Sequence, residues 1–447
     1  MDLLGDDSDS SGDEELHRTP SPAYVPEKLT KLTKSTLITN GTRVEPYKTA
    51  LSLKRKRDDH RSVHRSFLET IIKQFPVDSY KTVQALSKSI TSFALDKSGS
   101  RMVCGGRSGV IKLFDFCAFA LNGGQASKGV ETQCGKSVSS IAYCEDASKF
   151  AASFMSPTPS VFDRNGKELI DLIKGDPFMK DMSHTKGHIA AVTDLCWNPS
   201  GSNKLLTSSS DGSLRTWDLN GACEFGKLVC HQVIKPRDAH GRRVGVSACT
   251  FTPVSGNLIA AACVDGSVQI WHSKSTGKYD RPHLSLYNAH QCGENEGNQF
   301  GPTCLRFSTN GRHLVTRGGS VADESIKVWD LRKFKIPLRT YSNIRSPCGS
   351  ESCEFVKDSQ YIIAPVPSTP GTPEPSSIQV FDTYSTSSKP LKIIALKDQN
   401  KNSKPICARW HPLIDQIFVS TSDGFVHAFF DPLKATRGGA LFPLSCP

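Results

Sequence analysis

Residues 187–218 read GHIAAVTDLCWNPSGSNKLLTSSSDGSLRTWD, and this stretch decides the fold. It contains an apolar run that ends at Trp197, a second run over 205–210, an Asp-Gly turn at 211–212 and a third run that closes with Trp-Asp at 217–218. Short apolar runs separated by turn residues are typical of antiparallel β-strands. The stretch therefore predicts three consecutive strands joined by tight turns.

The same unit recurs along the chain after Tyr80. Each copy closes with an aromatic residue that is usually followed by Asp: Phe114-Asp115, Phe162-Asp163, Trp217-Asp218, Trp271-His272, Trp329-Asp330, Phe381-Asp382 and Phe430-Asp431. Successive closing pairs are 48, 55, 54, 58, 52 and 49 residues apart, which is longer than the roughly 40 to 45 residues of a minimal repeat of this kind. Loops are therefore expected between or within the seven units.

The unit over 187–218 resembles a WD repeat, and the two units that follow it match the same pattern. Seven such units imply an all-β fold, a seven-bladed WD-repeat β-propeller with four-stranded blades around a channel. A strand from outside the repeats must then close the ring. We expect residues 78–85 to pair with the last blade, because closure removes exposed sheet edges.

Composition and charge divide the chain into segments. Residues 1–20 hold seven acids and one base, which gives them a net charge of −6. Since the whole chain carries +11, the remaining residues carry +17. We predict a disordered tail over 1–65, acidic and then basic, because it has too few large apolar residues to offset the entropy of ordering. A short docking helix is predicted over 66–77, the propeller over 78–440, and a C-terminal tail over 441–447.

The charge asymmetry favours a negatively charged partner, and nucleic acid, phosphoprotein and acidic peptide are all alternatives. Four contiguous bases in the predicted tail, Lys54, Arg55, Lys56 and Arg57, predict a nuclear import signal, with phosphate binding as the competing interpretation. No apolar run reaches the roughly 18 residues of a membrane helix, and the amino terminus lacks signal-peptide features, so we expect no membrane association and no secretion.

The 15 cysteines include no C-x-x-C pair, which fits neither a disulfide framework nor a zinc ribbon. We therefore expect a reducing compartment, no metal and no cofactor.

A recurring polar set could be mistaken for catalytic residues. It comprises His188, Asp211 and Trp217 in one unit and His240, Asp265 and Trp271 in the next. A catalytic site is needed once, whereas these residues recur, and a catalytic triad is defined by its geometry rather than by residue types. The pattern predicts a structural hydrogen-bond network in each blade and no enzymatic activity.

Loops that enter the first strand and loops that join the second strand to the third share one face of a WD propeller, the top. Five cations are expected on this face, which we name the top-face cations: Arg107, Lys186, Arg242, Arg243 and Arg317. Arginine forks suit phosphate and carboxylate groups, although these side chains could equally serve to solvate the loops. No aromatic residues alternate with them, so nucleic-acid contact is expected to be indirect.

The fifth unit ends in Trp329-Asp330-Leu331-Arg332. This sequence resembles the W-D-x-R box by which many propellers dock to the damaged-DNA-binding adaptor of cullin-4 ubiquitin ligases, with the arginine in contact with the adaptor. Trp329, Asp330 and Arg332 are therefore predicted to bind a partner. The alternative is that Arg332 pairs with an acid of its own propeller.

Several stretches outside the generic repeat resemble the WD repeat-containing protein 70, or gastrulation-defective, family. The most specific is Ile-Lys-Gly-Asp at 173–176 leading to Thr-Lys-Gly-His at 185–188, and Trp-His-Pro at 410–412 also matches. The resemblance implies a nuclear scaffold, a cullin-4 substrate receptor in chromatin regulation and DNA double-strand-break repair with a chromatin or phosphorylated substrate. A scaffold in an RNA-processing, spliceosomal ribonucleoprotein assembly is the alternative.

Overall fold

A computed structural model describes residues 75–442, except 78, 122–127, 132–134, 180, 182–183, 202, 274–280, 292–300, 321, 348–350, 369–374, 386 and 397–402. The described residues form thirty β-strands, one short α-helix and two 3-10 helices. Within this part of the chain, no helix is long and apolar enough to cross a membrane, and no group of three or more His, Cys, Asp or Glu side chains is arranged to hold a metal ion.

Seven four-stranded antiparallel sheets follow one another along the chain as the blades of a propeller, which confirms the predicted fold. Strand β1 (Ser79–Gln84) precedes blade 1, which contains β2 (Ile90–Leu95), β3 (Arg101–Gly106), β4 (Val110–Asp115) and β5 (Lys128–Glu131). Blade 2 contains β6 (Val138–Tyr143), β7 (Lys149–Phe154), β8 (Ser160–Asp163) and β9 (Glu168–Asp171).

Blade 3 contains β10 (Val192–Trp197), β11 (Lys204–Ser209), β12 (Leu214–Asp218) and β15 (Gln232–Ile234), with the hairpin β13 (Cys223–Glu224) and β14 (Lys227–Leu228) inserted before β15. Blade 4 contains β16 (Val246–Phe251), β17 (Leu258–Cys263), β18 (Val268–His272) and β19 (Leu284–Leu286). Blade 5 contains β20 (Cys304–Phe307), β21 (His313–Arg317), β22 (Ser325–Asp330) and β23 (Arg339–Ser342).

Blade 6 contains β24 (Glu354–Val356), β25 (Tyr361–Val366), β26 (Ser377–Asp382) and β27 (Lys392–Ala395). Blade 7 contains β28 (Pro405–His411), β29 (Gln416–Thr421) and β30 (Phe425–Phe430). The helix α1 (Phe116–Leu121) follows β4, and the 3-10 helices are Leu331–Lys333 and Gly438–Leu441.

The ring is closed by β1, which pairs antiparallel with β30 from Ser79 opposite Phe430 to Gln84 opposite Phe425. The sequence predicted this closing strand. The Lys81 ammonium also donates to the carbonyl oxygens of Ala440 and Phe442, each at 2.7 Å. The first strand of the ring is therefore tied both to the last blade and to the segment that follows it.

Two predicted boundary segments fall partly outside the described residues. The tail over 1–65 and most of the helix over 66–77 lie outside them, and residues 75–77, at the end of that helix, are not helical. Phe75 is buried and packs edge-on against Tyr361, with ring centroids 5.2 Å apart. At the other end, Leu441 ends the second 3-10 helix and Phe442 is buried against α1, so the ordered part extends into the predicted C-terminal tail.

Neighbouring blades pack face to face, which explains why their middle strands are rich in small and apolar residues. Strand β17 reads Leu-Ile-Ala-Ala-Ala-Cys and is buried from its second residue onward. A strand covered on both faces has no need of polar alternation, and small side chains let the adjacent sheets approach. Cys249, Cys304, Cys353 and Cys407 are buried in the same packing layers, whereas Cys196, at the equivalent part of blade 3, is only partly buried.

Candidate interaction surfaces

A fully buried histidine network joins the elements of blade 3. The Nδ1 atom of His188 lies 3.0 Å from Asp211 Oδ2, and its Nε2 atom lies 2.7 Å from Thr207 Oγ1. The indole N–H of Trp217 donates to the same hydroxyl at 2.8 Å. Since a carboxylate can only accept, His188 donates from Nδ1 and accepts the Thr207 hydroxyl proton at Nε2. The loop, turn and strands of the blade are thereby bonded together.

The protonation states follow from this environment. Burial lowers the pKa of His188, so the imidazole is neutral at pH 7. Burial alone would raise the pKa of Asp211, but hydrogen bonds from His188, Ser213 and the Ile189 N–H outweigh it and lower that pKa to about 2. Both the His188 and the Asp211 side chains are 0% exposed, so a substrate cannot reach them. The set is therefore structural in this blade.

Blade 5 repeats the network. His290 Nδ1 lies 3.0 Å from Asp323 Oδ2, and His290 Nε2 lies 2.7 Å from Thr316 Oγ1, which also accepts the Trp329 indole N–H at 2.9 Å. Trp329 is 3% exposed. The prediction that Trp329 contacts a partner is therefore wrong, because its ring is in the core and its polar atom is already bonded.

Blade 4 departs from the predicted network. His240 is exposed on its loop, and among the described residues Asp265 accepts hydrogen bonds from the Ser267 N–H and hydroxyl instead. The buried Trp271 indole N–H has no partner in the described part of the chain. The cause is visible in the sequence, since Ala261 occupies the strand position of Thr207 and Thr316 and supplies no hydroxyl. The prediction of a His240, Asp265 and Trp271 network was wrong.

Of the five top-face cations, Arg317 is not exposed on the top face. Its side chain is fully buried at the end of β21. The guanidinium donates to Ser346 Oγ at 2.9 Å and to the carbonyl oxygens of Ser352 at 2.9 Å and Arg345 at 2.7 Å. These partners belong to the connection between blades 5 and 6. Arg317 therefore stabilises an interblade connection and is not available to a partner, which corrects the prediction.

The other four top-face cations are exposed on loops: Arg107, Lys186, Arg242 and Arg243. Lys186 pairs with Glu224 at 2.6 Å, and Arg242 pairs with Asp238 at 2.8 Å. Arg107 and Arg243 form no ion pair with the described residues. The unneutralised positive charge on this face is therefore smaller than the sequence suggested.

Arg332 lies on the opposite side of blade 5, where the third strand ends. It is part of the 3-10 helix Leu331–Lys333, whose N-cap is Asp330. The Asp330 carboxylate accepts the Arg332 backbone N–H at 3.0 Å and lies 3.3 Å from its guanidinium. The Arg332 side chain is nevertheless 66% exposed. The arginine is thus oriented by its own aspartate and remains accessible.

The structure also reveals a ring of side chains in the central channel that sequence reasoning missed. They occupy one register position of the first strands, in most blades directly before an aromatic residue: Ala94, Ala142, Cys196, Thr250, Arg306, Glu354 and Arg409. All seven line a cavity of about 580 Å³. Aligning the first strands of the seven repeats could have found the three charged members, which come from consecutive blades.

The repeats define the class of the protein. The model of the WD domain, G-beta repeat, matches residues 79–115, 180–218, 231–272 and 290–330. These ranges contain the first three strands of blades 1, 3, 4 and 5, including the two blades with a complete histidine network. The protein is a WD-repeat β-propeller.

The comparison with curated proteins identifies the family. The chain is 30% identical over 370 residues to WD repeat-containing protein 70 of Xenopus tropicalis, covering 83% of this chain and 55% of that protein. It is 29% identical over 384 residues to the Xenopus laevis protein of the same name, covering 86% and 58%. It is 30% identical over 377 residues to gastrulation defective protein 1 homolog of Drosophila melanogaster, covering 83% and 53%. The chain belongs to the WD repeat-containing protein 70 family and spans just over half the length of these relatives.

Proposed function

We propose that this chain is a nuclear protein-interaction scaffold that serves as a substrate receptor of a cullin-4 ubiquitin ligase in chromatin regulation and DNA double-strand-break repair. The WD-repeat propeller and the family membership support a non-catalytic scaffold. The nuclear part of the proposal rests on the basic run at 54–57, which lies outside the described residues.

The exposure of Arg332 is the observation that carries the ligase proposal. The ion pair between Arg332 and Asp330 is exposed, and such pairs contribute about 0 to 1 kcal/mol, so a partner can replace it at small cost. Phe334, which directly follows the 3-10 helix that carries Arg332, is buried and packs edge-on against Trp329, with ring centroids 6.0 Å apart. The backbone that carries Arg332 is thereby fixed to the blade, which suits an interface anchor.

The opposite face suits the substrate. Arg107 and Arg243 are exposed there without an ion pair to the described residues, so they can donate bidentate hydrogen bonds to phosphate or carboxylate groups. Two faces with different chemistry let one propeller hold an adaptor and a phosphorylated or chromatin-derived acidic substrate at the same time. Such simultaneous binding is what a substrate receptor must achieve.

Affinity purification from nuclear extract tests the proposal. Tagged wild type and Lys333→Ala should recover the cullin-4 adaptor, whereas Arg332→Ala should lose it. Lys333 is the matched control, because it is exposed in the same 3-10 helix. Recovery of spliceosomal proteins without the adaptor would refute the ligase role and favour the RNA-processing alternative. Equal melting temperatures would establish that each variant is folded.

A further inference from the structure

The channel cavity is asymmetric in charge and in size. On the side of blades 5 and 7, the lining includes the guanidinium groups of Arg306 and Arg409, with Glu354 of blade 6 between them in sequence. On the side of blades 1 and 2, the corresponding positions are Ala94 and Ala142. The small side chains leave room in front of the two arginines. The cavity therefore has one wall rich in hydrogen-bond donors and one wall that offers space.

The two arginines are poorly satisfied by the protein. Arg306 Nη1 donates to its neighbour's carbonyl, Leu305 O, at 2.9 Å and lies 3.7 Å from Asp194 Oδ2. Arg409 Nη1 lies 3.8 Å from Glu354 Oε1, and within the described residues its side chain makes no hydrogen bond. Each guanidinium has five N–H donors. Most of these donors are therefore free to bond a ligand in the cavity.

The ionic partners of the arginines do not neutralise them firmly. Distances of 3.7 and 3.8 Å are too long for hydrogen bonds, so the attraction is Coulombic and can be replaced. An anion within hydrogen-bonding distance of either guanidinium would form the hydrogen bonds that Glu354 and Asp194 do not form.

The mouth of the cavity supplies apolar contact. Trp410, Pro412 and Leu413 lie at its edge, and Leu413 is 71% exposed. Ligand pockets of about 300 to 1,000 Å³ that combine apolar walls with a few convergent polar groups are typical binding sites. A chain of peptide can contact this edge while one of its side chains extends to the arginines.

We propose that this end of the central channel binds an acidic peptide segment of a partner protein, with Arg306 and Arg409 donating hydrogen bonds to the anionic oxygens of one inserted side chain. The inference rests on the proposed scaffold function and identifies a second binding site for it. The inserted group is either a carboxylate or a phosphate, since both present oxygen acceptors that match arginine. This site is distinct from Arg332, which does not line the cavity.

Fluorescence polarisation with the purified chain tests the site. The probes are a fluorescein-labelled octapeptide of alternating Glu and Gly, the same peptide with phosphoserine in place of Glu, and a control with Gln in place of Glu. We expect wild type to bind at least one anionic probe and not the Gln probe. The better of the two anionic probes identifies carboxylate or phosphate as the recognised group.

Substitutions separate a binding site from a structural charge cluster. Arg306→Gln and Arg409→Gln should each lower affinity by about tenfold or more, which is the usual effect of losing a charged hydrogen bond. Glu354→Gln should raise affinity, because it removes the competing carboxylate. Ala94→Phe should block binding by filling the cavity while both arginines remain. Arg332→Gln is the control and should leave peptide affinity unchanged.

Three outcomes would overturn the inference. They are the absence of binding of either anionic probe by the folded wild type, affinities unchanged by both arginine substitutions, and a loss of affinity in Glu354→Gln equal to that in Arg409→Gln. Because the assay uses purified protein without the adaptor, its result is independent of whether the ligase proposal holds. If Arg409→Gln does not fold, the peptide affinities of Ala94→Phe and Glu354→Gln still test the proposed site.

Discussion

The buried network of blade 3 makes a quantitative prediction for Asp211→Ala. The Asp211 carboxylate accepts hydrogen bonds from His188 Nδ1, the Ile189 N–H, and the N–H and hydroxyl of Ser213. The Ser213 hydroxyl can turn elsewhere, but the N–H donors of His188, Ile189 and Ser213 are fixed and would lose their acceptor. Each unsatisfied buried donor costs about 1 to 3 kcal/mol, and the lower half of that range for three donors gives a loss of about 3 to 5 kcal/mol of unfolding free energy.

The matched control is Asp265→Ala in blade 4. Asp265 occupies the same turn position, but within the described residues it bonds Ser267 and no histidine. Its loss should therefore cost about 1 kcal/mol. Thermal and denaturant unfolding of the two variants measures the difference, and Asp211→Ala should melt about 4 to 6 °C below wild type for a domain of this size. Equal shifts in the two variants, or an unchanged midpoint for Asp211→Ala, would refute the assigned network.

Three further predictions concern blade 4, the pH dependence of the blade 3 network and the basic run at 54–57. Ala261→Thr should stabilise the chain by about 1 kcal/mol, because the new hydroxyl can accept the unpaired Trp271 N–H, and a lower melting temperature would contradict this. The folded-state pKa of Asp211, about 2, lies below its unfolded value, so its contribution of about 2 kcal/mol is present above pH 4 and is lost as pH falls from about 4 to 2. The denaturant-unfolding gap between wild type and Asp211→Ala should narrow in that window, and a constant gap would contradict the pKa. Alanine at all four positions of 54–57 should lower nuclear accumulation of a fluorescent fusion, and undiminished accumulation would count against the import signal.

The blade count was predictable because the aromatic-Asp closing pairs fall at one position of the repeat. The same periodicity required a closing strand, and the chain just before blade 1 was available to supply it. The histidine network was predictable in blade 3, where His188, Thr207 and Trp217 all have the right side chains. The network prediction is wrong in blade 4 because the network also needs a hydroxyl on the middle strand, and Ala261 supplies none.

Arg317 could not have been placed from sequence. Its position at the end of β21 indicates the top face, yet its acceptors are Ser346 Oγ and two carbonyl oxygens 28 and 35 residues further along the chain. Whether a strand-end arginine points to solvent or between blades depends on these distant backbone positions.

The ring of side chains in the central channel could have been predicted. Arg306 and Arg409 occupy the same position of the repeat, so a register alignment of the first strands would have placed both in the channel.

Direct binding of the purified propeller to the purified cullin-4 adaptor tests the proposed function most directly. Biolayer interferometry should detect binding by wild type, and Lys333→Ala should bind within about twofold of it, as a peripheral charge would. If Arg332 is the anchor, Arg332→Ala should cost more than about 2 kcal/mol, which is an affinity loss of about 30-fold. No binding by folded wild type, or equal affinity of Arg332→Ala and wild type, would contradict the account.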